Sequence, residues 1–285
     1  TLSYFERLHE ASVRTNQANL VRLLSMNVDN SLRYAKDALQ RNADNLPEQA
    51  LQSEAGALTF LKSRTGLYNF FTGHLFMFAV DGRLIAEYPS LAHDQHRLSS
   101  FAGQPAFKKA LATSKPQVSS PTACCAADDG LQAFMFVPVV RNGRIRAVRA
   151  GSVDLKRPNR LSEHMQEPSG VNGVIRLISD DYQVVAHVNP ELIGRQSVTE
   201  VTEAIDQALK QGSVALTNTN RYQLPTFTYL HRLETADWVL AASIPVDEVY
   251  APVRTVRTWF ILATLLGMAA AVLVVFLVMR LLTRP

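Results

Sequence analysis

The side chains that carry most enzyme chemistry are scattered through this chain without forming a set. His74, His93, His96, His164, His187 and His231 show no ligand spacing, so a metal site is not expected. Ser119-Ser120, Asp128-Asp129 and Asp180-Asp181 read as turn residues. There is no G-x-S-x-G, P-loop or metalloprotease helix. Cys124 and Cys125 are adjacent, which is neither a disulfide framework nor a zinc pattern. A vicinal disulfide, an intermolecular bridge and two ordinary buried residues all stay open, the last being preferred. Neither catalysis nor a cofactor is expected.

What remains is the chemistry of binding. Phe76, Phe78, Phe134 and Phe136 alternate along apolar segments, as residues on one face of a sheet do. That face is expected to be core, with part of it lining a cavity to which Tyr88 and Phe107 offer ring edges or a hydroxyl. Arg149 and Lys108 are the cations that would suit a carboxylate ligand. Asp154 is either a pocket carboxylate for a cationic group or the cap of the turn after its strand.

The elements that must position these groups are legible from periodicity. From Thr1 to about Leu46 there is no proline or glycine, and apolar residues fall mostly three or four apart, predicting one amphipathic helix ~60–70 Å long. The alternative is two helices broken at residues 27–30. Pro47 ends the run, and a second helix is expected from Glu48 to Lys62. Strand–turn–strand signals follow at His74–Val80 with Leu84–Tyr88, around Asp81-Gly82. A short helix at Ala106–Ala112 precedes strands at Gln117–Ser119, Gln132–Val140 and Ile145–Leu155, the last two turning at Asn142-Gly143. The order then repeats: a hairpin at Gly173–Ser179 and Gln183–His187, a helix at Val201–Lys210, and strands at Phe227–His231 and Trp238–Ile244. Two tandem antiparallel-sheet units with helices on one side make an α+β fold, each packing on the long N-terminal helix to complete its core.

Composition agrees. With 285 residues and 47% hydrophobic content, the chain has room for one large domain or two small ones before its final apolar run. The net charge is +4 with no block of like charge, so nucleic acid is not an expected partner. The run from Trp259 to Met279 holds no charged residue and is flanked by Arg254, Arg257, Arg280 and Arg284. It has the length of a helix that crosses a ~30 Å hydrocarbon core. No secretory signal is visible at Thr1. Both a C-terminal anchor and a chain starting after a first span fit, and the sequence reads as a fragment of a longer protein.

The phrases VDGRLIAEYP, QPAFKKALATSKPQVSSP, FVPVVRNGRIRAVRAGSVDL, LISDDYQVVAHVNPELIGRQ and WVLAASIPVDEVYAPV, in this order and ending in a membrane helix, resemble the double Cache (dCache) sensor domains of bacterial signalling proteins. The resemblance implies a long helix and second helix over 1–63, a membrane-distal PAS-like module over 64–168 and a membrane-proximal one over 169–253. A juxtamembrane segment at 254–258, a transmembrane helix at 259–279 and the start of a HAMP-like cytoplasmic connector at 280–285 complete it. The large domain would lie in the periplasm, anchored in the inner membrane and paired as a homodimer through the N-terminal helix. The fragment is then no enzyme, but it serves an output domain: a chemotaxis domain, a histidine kinase or, as the preferred reading, an enzyme of cyclic di-GMP synthesis or degradation.

The resemblance also places the ligand in the distal module. Many relatives grip an amino acid's carboxylate with an arginine and aromatics at the start of the short helix, where this chain has Gln104-Pro105-Ala106-Phe107. The residue that grips the amine has its counterpart in Asp154, which tips Asp154 toward the pocket. The candidate ligand-binding residues are therefore Tyr88, Gln104, Phe107, Lys108, Phe136, Arg149 and Asp154, for a small carboxylate or amine. A dimerisation or interaction module with no small ligand is the alternative.

Overall fold

The structure, a computed structural model, describes residues 2–89, 101–123, 130–166, 173–197, 199–219 and 223–282. His93, His96, Cys124, Cys125, Asp128 and Asp129 lie outside the described residues.

Helix α1 (Leu2–Asp44) is the spine. Val21, Leu24, Val28, Leu32, Ala35 and Leu39 are all buried, so one stripe of a single helix faces the core. It does not break at residues 27–30, and the polar residue there has a tertiary use. Asp29, only 6% exposed, accepts the backbone N–H groups of Glu234 and Thr235 at 2.8 to 3.0 Å. Further toward the N-terminus, Gln17 Nε2 donates to the carbonyl of Ala242 at 2.8 Å. At the other end Arg141 Nη2 donates to the carbonyls of Ala43, Asp44 and Leu46, satisfying orphan acceptors of the last turn. The expected helix over 48–62 is two helices, α2 (Glu48–Gln52) and α3 (Glu54–Lys62). Ser53 between them is extended, and its Oγ accepts from Gly56 N at 3.1 Å, capping α3.

The first sheet contains β1 (Leu75–Phe78) and β2 (Leu84–Tyr88), followed after helix α4 (Pro105–Thr113) by β3 (Gln117–Val118), β4 (Thr122–Ala123), β5 (Leu131–Arg141) and β6 (Arg144–Asp154). Its order is β2-β1-β6-β5-β3, with β4 also on β5, and the pairs are antiparallel. Asn142 (φ 51°) and Gly143 (φ 71°) turn β5 into β6, the left-handed pair a tight hairpin requires. After α5 (Arg160–Glu163) the second sheet comprises β7 (Val174–Ser179), β8 (Val184–His187), β9 (Ser213–Thr219), β10 (Pro225–Arg232) and β11 (Trp238–Pro245), with helix α6 (Thr199–Gln211) between β8 and β9. Its order, β8-β7-β11-β10-β9, is that of the first sheet again. The short β4 and the polar β9, SVALTNT, were not among the expected strands, because neither has an apolar run to announce it.

Each sheet buries one face against the α1 side and the other under its own helix. Leu75, Met77, Met135 and Val137 lie in the α1-side core with Ile175, Leu177 and Leu240 of the second sheet. On the opposite faces, Phe76, Phe78, Phe134 and Phe136 meet Ala106, Phe107 and Ala110 of α4, while Ile178, Leu230 and Val239 meet Val201, Ala204 and Ile205 of α6. The two units also touch directly. Lys109 Nζ is 2.5 Å from Asp237 Oδ2, and Ser120 Oγ donates to Asp180 Oδ1 at 3.2 Å.

Strand β11 passes without a linker into α7 (Val246–Leu282). Among the described residues no helix is long and apolar enough to cross a membrane, and several side chains of the Trp259–Met279 run, among them those of 259–261, lie outside the described set. The described part of that run exposes large apolar groups, with Leu266 77% and Val272 70% accessible.

Candidate functional site

The face of the first sheet under α4 has an apolar end and a polar end. At the apolar end, alternation along β1 and β5 puts Phe76 over Phe78 (centroids 5.6 Å apart, 19° between planes) and Phe134 over Phe136 (5.8 Å, 12°). Phe101 inserts between the two stacks, 4.9 Å from Phe78 and 5.0 Å from Phe134. Phe107 of α4 closes edge-on against Phe136 at 5.6 Å and 87°, the geometry ring quadrupoles favour. The aromatic end is thus packed.

The polar end follows from strand register. Ser152 of β6 lies opposite Phe134, and the next pairs on that face are Gln132 with Asp154 and with Thr122. His74 joins from the start of β1, its backbone N–H donating to Ser152 Oγ at 2.8 Å. Gln104, the N-cap of α4, turns its Oε1 to the amides of Ala106 and Phe107 at 2.7 and 3.2 Å, while its Nε2 reaches Thr122 Oγ1 at 3.5 Å. That cap consumes the helix's first free amides, so they do not offer an anion hole.

Two atoms here have no hydrogen-bond partner among the described residues. Gln132 is 2% exposed, and its Oε1 and the Nδ1 of His74 accept or donate no hydrogen bond. Buried polar groups left unpaired are rare and expensive. Asp154 stands beside them. Its Oδ1 accepts the N–H groups of Lys156 and Arg157 at 3.0 and 3.3 Å, and its Oδ2 is 3.3 Å from Arg157 Nε. Burial pushes the His74 imidazole below its ordinary pKa, while the Asp154 charge partly opposes the shift. The imidazole is therefore neutral near pH 7. The end of the face is rich in acceptors, an unsatisfied amide oxygen and a carboxylate, and among the described residues it offers no buried cation.

The sequence candidates fall in two places. Gln104, Phe107, Phe136 and Asp154 come together on the α4 face, Gln104 and Asp154 at its polar end and the two phenylalanines in the packed aromatic end. Lys108 sits on the exposed side of α4. Tyr88 and Arg149 lie on the other face: Tyr88 pairs with Leu75, and Arg149 alternates with Val148 and Ala150 of the α4 face. Neither reaches the ring cluster through the sheet. Conversely, sequence reasoning passed over Gln132 and Ser152 and gave His74 no binding role. The one available signal was a glutamine opening the otherwise apolar LQAFMFVPVV strand. A cavity of about 40 Å³ also lies on the α1 side, lined by Ser31, Leu32, Phe71, Met135, Arg160 and Trp238. It is at the junction of α1 with both sheets and has room for little more than one or two waters.

A family model described as a Cache domain matches residues 5–253. Comparison with curated proteins gives no match. Among solved structures, the ligand-binding domain of the Pseudomonas fluorescens chemoreceptor CtaA, in complex with L-isoleucine, superposes with a TM-score of 0.65 at 14% identity, covering 86% of this chain and 97% of that one. A methyl-accepting chemotaxis protein X gives 0.64 at 18% identity over 83% and 98%. The extracellular domain of a histidine kinase, mmHK1S-Z2, gives 0.62 at 11% identity over 83% and 98%. At these identities the likeness is one of fold.

Proposed function

Since the chain belongs to the double Cache (dCache) family of Cache domains, we propose that it is the ligand-sensing region of a bacterial transmembrane receptor, and that the polar end of the α4 face takes a small amine. The observation that carries this reading is the buried Gln132 Oε1, an acceptor with no donor among the described residues, facing the same end as the Asp154 carboxylate. An ammonium or primary amine supplies N–H donors to both. With Gln104 at the α4 N-terminus in place of a cation, no buried cation among the described residues faces this end to grip a carboxylate. The ligand we infer has an amine head and a short apolar body lying against Phe134.

The route to the membrane is short. Gln104 starts α4 at the site, and Lys109 on the same helix pairs with Asp237. Asp237 precedes β11, which continues into α7. A ligand that shifts α4 biases this line by its differential affinity for the two positions. We propose that Trp259–Met279 of α7 spans the inner membrane, a reading its exposed leucines and valines support. The large domain then lies in the periplasm and pairs through the outer stripe of α1, where Leu23, Met26 and Tyr34 are 56, 57 and 64% exposed. The output we favour is cyclic di-GMP synthesis or degradation, tested by a cyclic di-GMP reporter in cells expressing the intact gene.

The ligand reading is tested by calorimetry on the full chain in a non-ionic detergent, titrated with ethylamine, ethanolamine and L-alanine. Both amines are expected to bind, and L-alanine no more tightly than ethylamine. Asp154→Ala and Gln132→Leu each remove one bond to a charged donor, a loss of roughly 10- to 100-fold in affinity. Absence of binding by either amine, with α1-mediated dimers still formed, would favour an interaction module without a small ligand.

A further inference from the structure

On the α1-side face of the first sheet one charge is buried, and two exposed cations, Arg64 and Lys62, flank it. Arg149 of β6 is 0% exposed, and among the described residues its Nε, Nη1 and Nη2 all lack a hydrogen-bond partner. Its guanidinium centre lies 5.2 Å from the Phe60 ring centroid, and that of Arg64 lies 4.5 Å from the same ring. Lys62 Nζ sits 5.9 Å from the centroid of Tyr88. Tyr88 is in turn edge-on to Tyr68 at 6.3 Å, and Tyr68 donates its hydroxyl to the Tyr88 carbonyl at 2.8 Å. Two cations thus share the Phe60 ring and a third lies over Tyr88. Among the described residues, no carboxylate lies within ion-pair distance of Arg149, Arg64 or Lys62. Glu87, next to Tyr88 in β2, pairs with Phe76 and so belongs to the opposite face.

Phe60 shared between two guanidinium groups cannot replace what Arg149 has lost. A ring face satisfies none of its five N–H donors, and two like charges on one quadrupole oppose each other. Burial, reinforced by Arg64, pushes the Arg149 guanidinium down to about 9, whereas arginine in proteins ordinarily holds its proton. Water would satisfy the donors but leave the charge unneutralised.

We propose that Arg149 anchors a second binding site, on the face of the sheet opposite the amine site, for a small monovalent anion: chloride or the head of a short carboxylate. The planar fork of Arg149 makes the direct bonds, while Arg64 and Lys62 supply the remaining positive field. The anion locks α3 onto the sheet, because Phe60, Lys62 and Arg64 come from α3 and the residues just after it.

Thermal unfolding of the full chain in non-ionic detergent tests this, with chloride or acetate titrated at constant ionic strength against gluconate. A rise in Tm of about 3 °C per tenfold increase in anion above its Kd is expected. Arg149→Met, which keeps an unbranched apolar stem without the charge, should abolish the rise. A response to chloride but not acetate identifies a halide site, and the reverse a carboxylate site. Equal responses in wild type and variant would reduce the effect to general salt and overturn the proposal. If the variant fails to fold, a bromide-soaked wild-type crystal decides: an anomalous peak within hydrogen-bonding range of the Arg149 guanidinium supports the site, and waters alone there overturn it. Neither readout depends on amine binding, so the two sites stand or fall separately.

Discussion

Replacing Asp29 by alanine should loosen the grip of the spine helix on the second unit. Glu234 N reaches both carboxylate oxygens, at 3.0 and 2.9 Å, and Thr235 N reaches Oδ1 at 2.8 Å. These amides belong to the turn that ends β10 and leads, through Asp237, into β11. Alanine removes a charged acceptor and strands two donors that the 6% exposure of Asp29 leaves poorly hydrated. Bonds to charged groups contribute roughly 1.5–3 kcal/mol each, so two donors with partial rescue by water amount to about 3 kcal/mol. For a chain of this size that corresponds to a fall in Tm of roughly 6–12 °C. Asp29→Asn keeps one acceptor oxygen and should lose about half as much. Circular dichroism melts of the full chain in detergent would measure both, and hydrogen exchange should report faster opening at Glu234 and Thr235 specifically. A melting point within about 1 °C of wild type for Asp29→Ala, with unchanged exchange at those amides, would refute the idea that this carboxylate staples the second unit.

Gly194→Ala should be destabilising twice over. Gly194 has φ +80°, and an added Cβ would lie 2.2 Å from Leu131 Cδ1 across the boundary between the two units. A cost of about 1–3 kcal/mol is expected from overpacking. Leu131→Ala in the same chain should recover part of it in a double-mutant cycle of urea midpoints, and strictly additive effects would argue against the contact. His74 sets a pH dependence of definite sign. Its folded-state pKa lies below the ordinary 6.5 because of burial, although Asp154 pulls the other way. As pH falls below 6.5 the unfolded chain takes the proton first, so stability contributed by the neutral imidazole is lost. Urea midpoints should therefore drop more between pH 7 and pH 5 for wild type than for His74→Gln, and parallel curves would contradict the burial argument.

The architecture was readable in the sequence because it rests on local periodicity and on repetition. Apolar residues three or four apart mark α1 and alternation marks β1, β5 and β6. The same order of elements occurs twice, and the second sheet does repeat the strand order of the first. Elements without an apolar pattern, β4 and β9, were not legible, and a single extended serine divided the helix after Pro47. Of the binding candidates, residue type drew in Arg149 and Tyr88 and the family resemblance Gln104 and Asp154, and neither ground told one face of the sheet from the other.

Only the tertiary structure separates them, and the reason is the pleat. Successive residues of a strand point to opposite sides, so a one-residue difference decides which face a group serves. Ala150 and Ser152 carry β6 toward the α4 side, where Gln132 and Asp154 pair across strands. Arg149, one residue away, is buried on the other side against Phe60. Composition and periodicity determine that such a sheet exists and that two are strung along one helix. Register and bulges, settled only when the strands pair, decide that the acceptors converge under α4 and that the cations converge behind it.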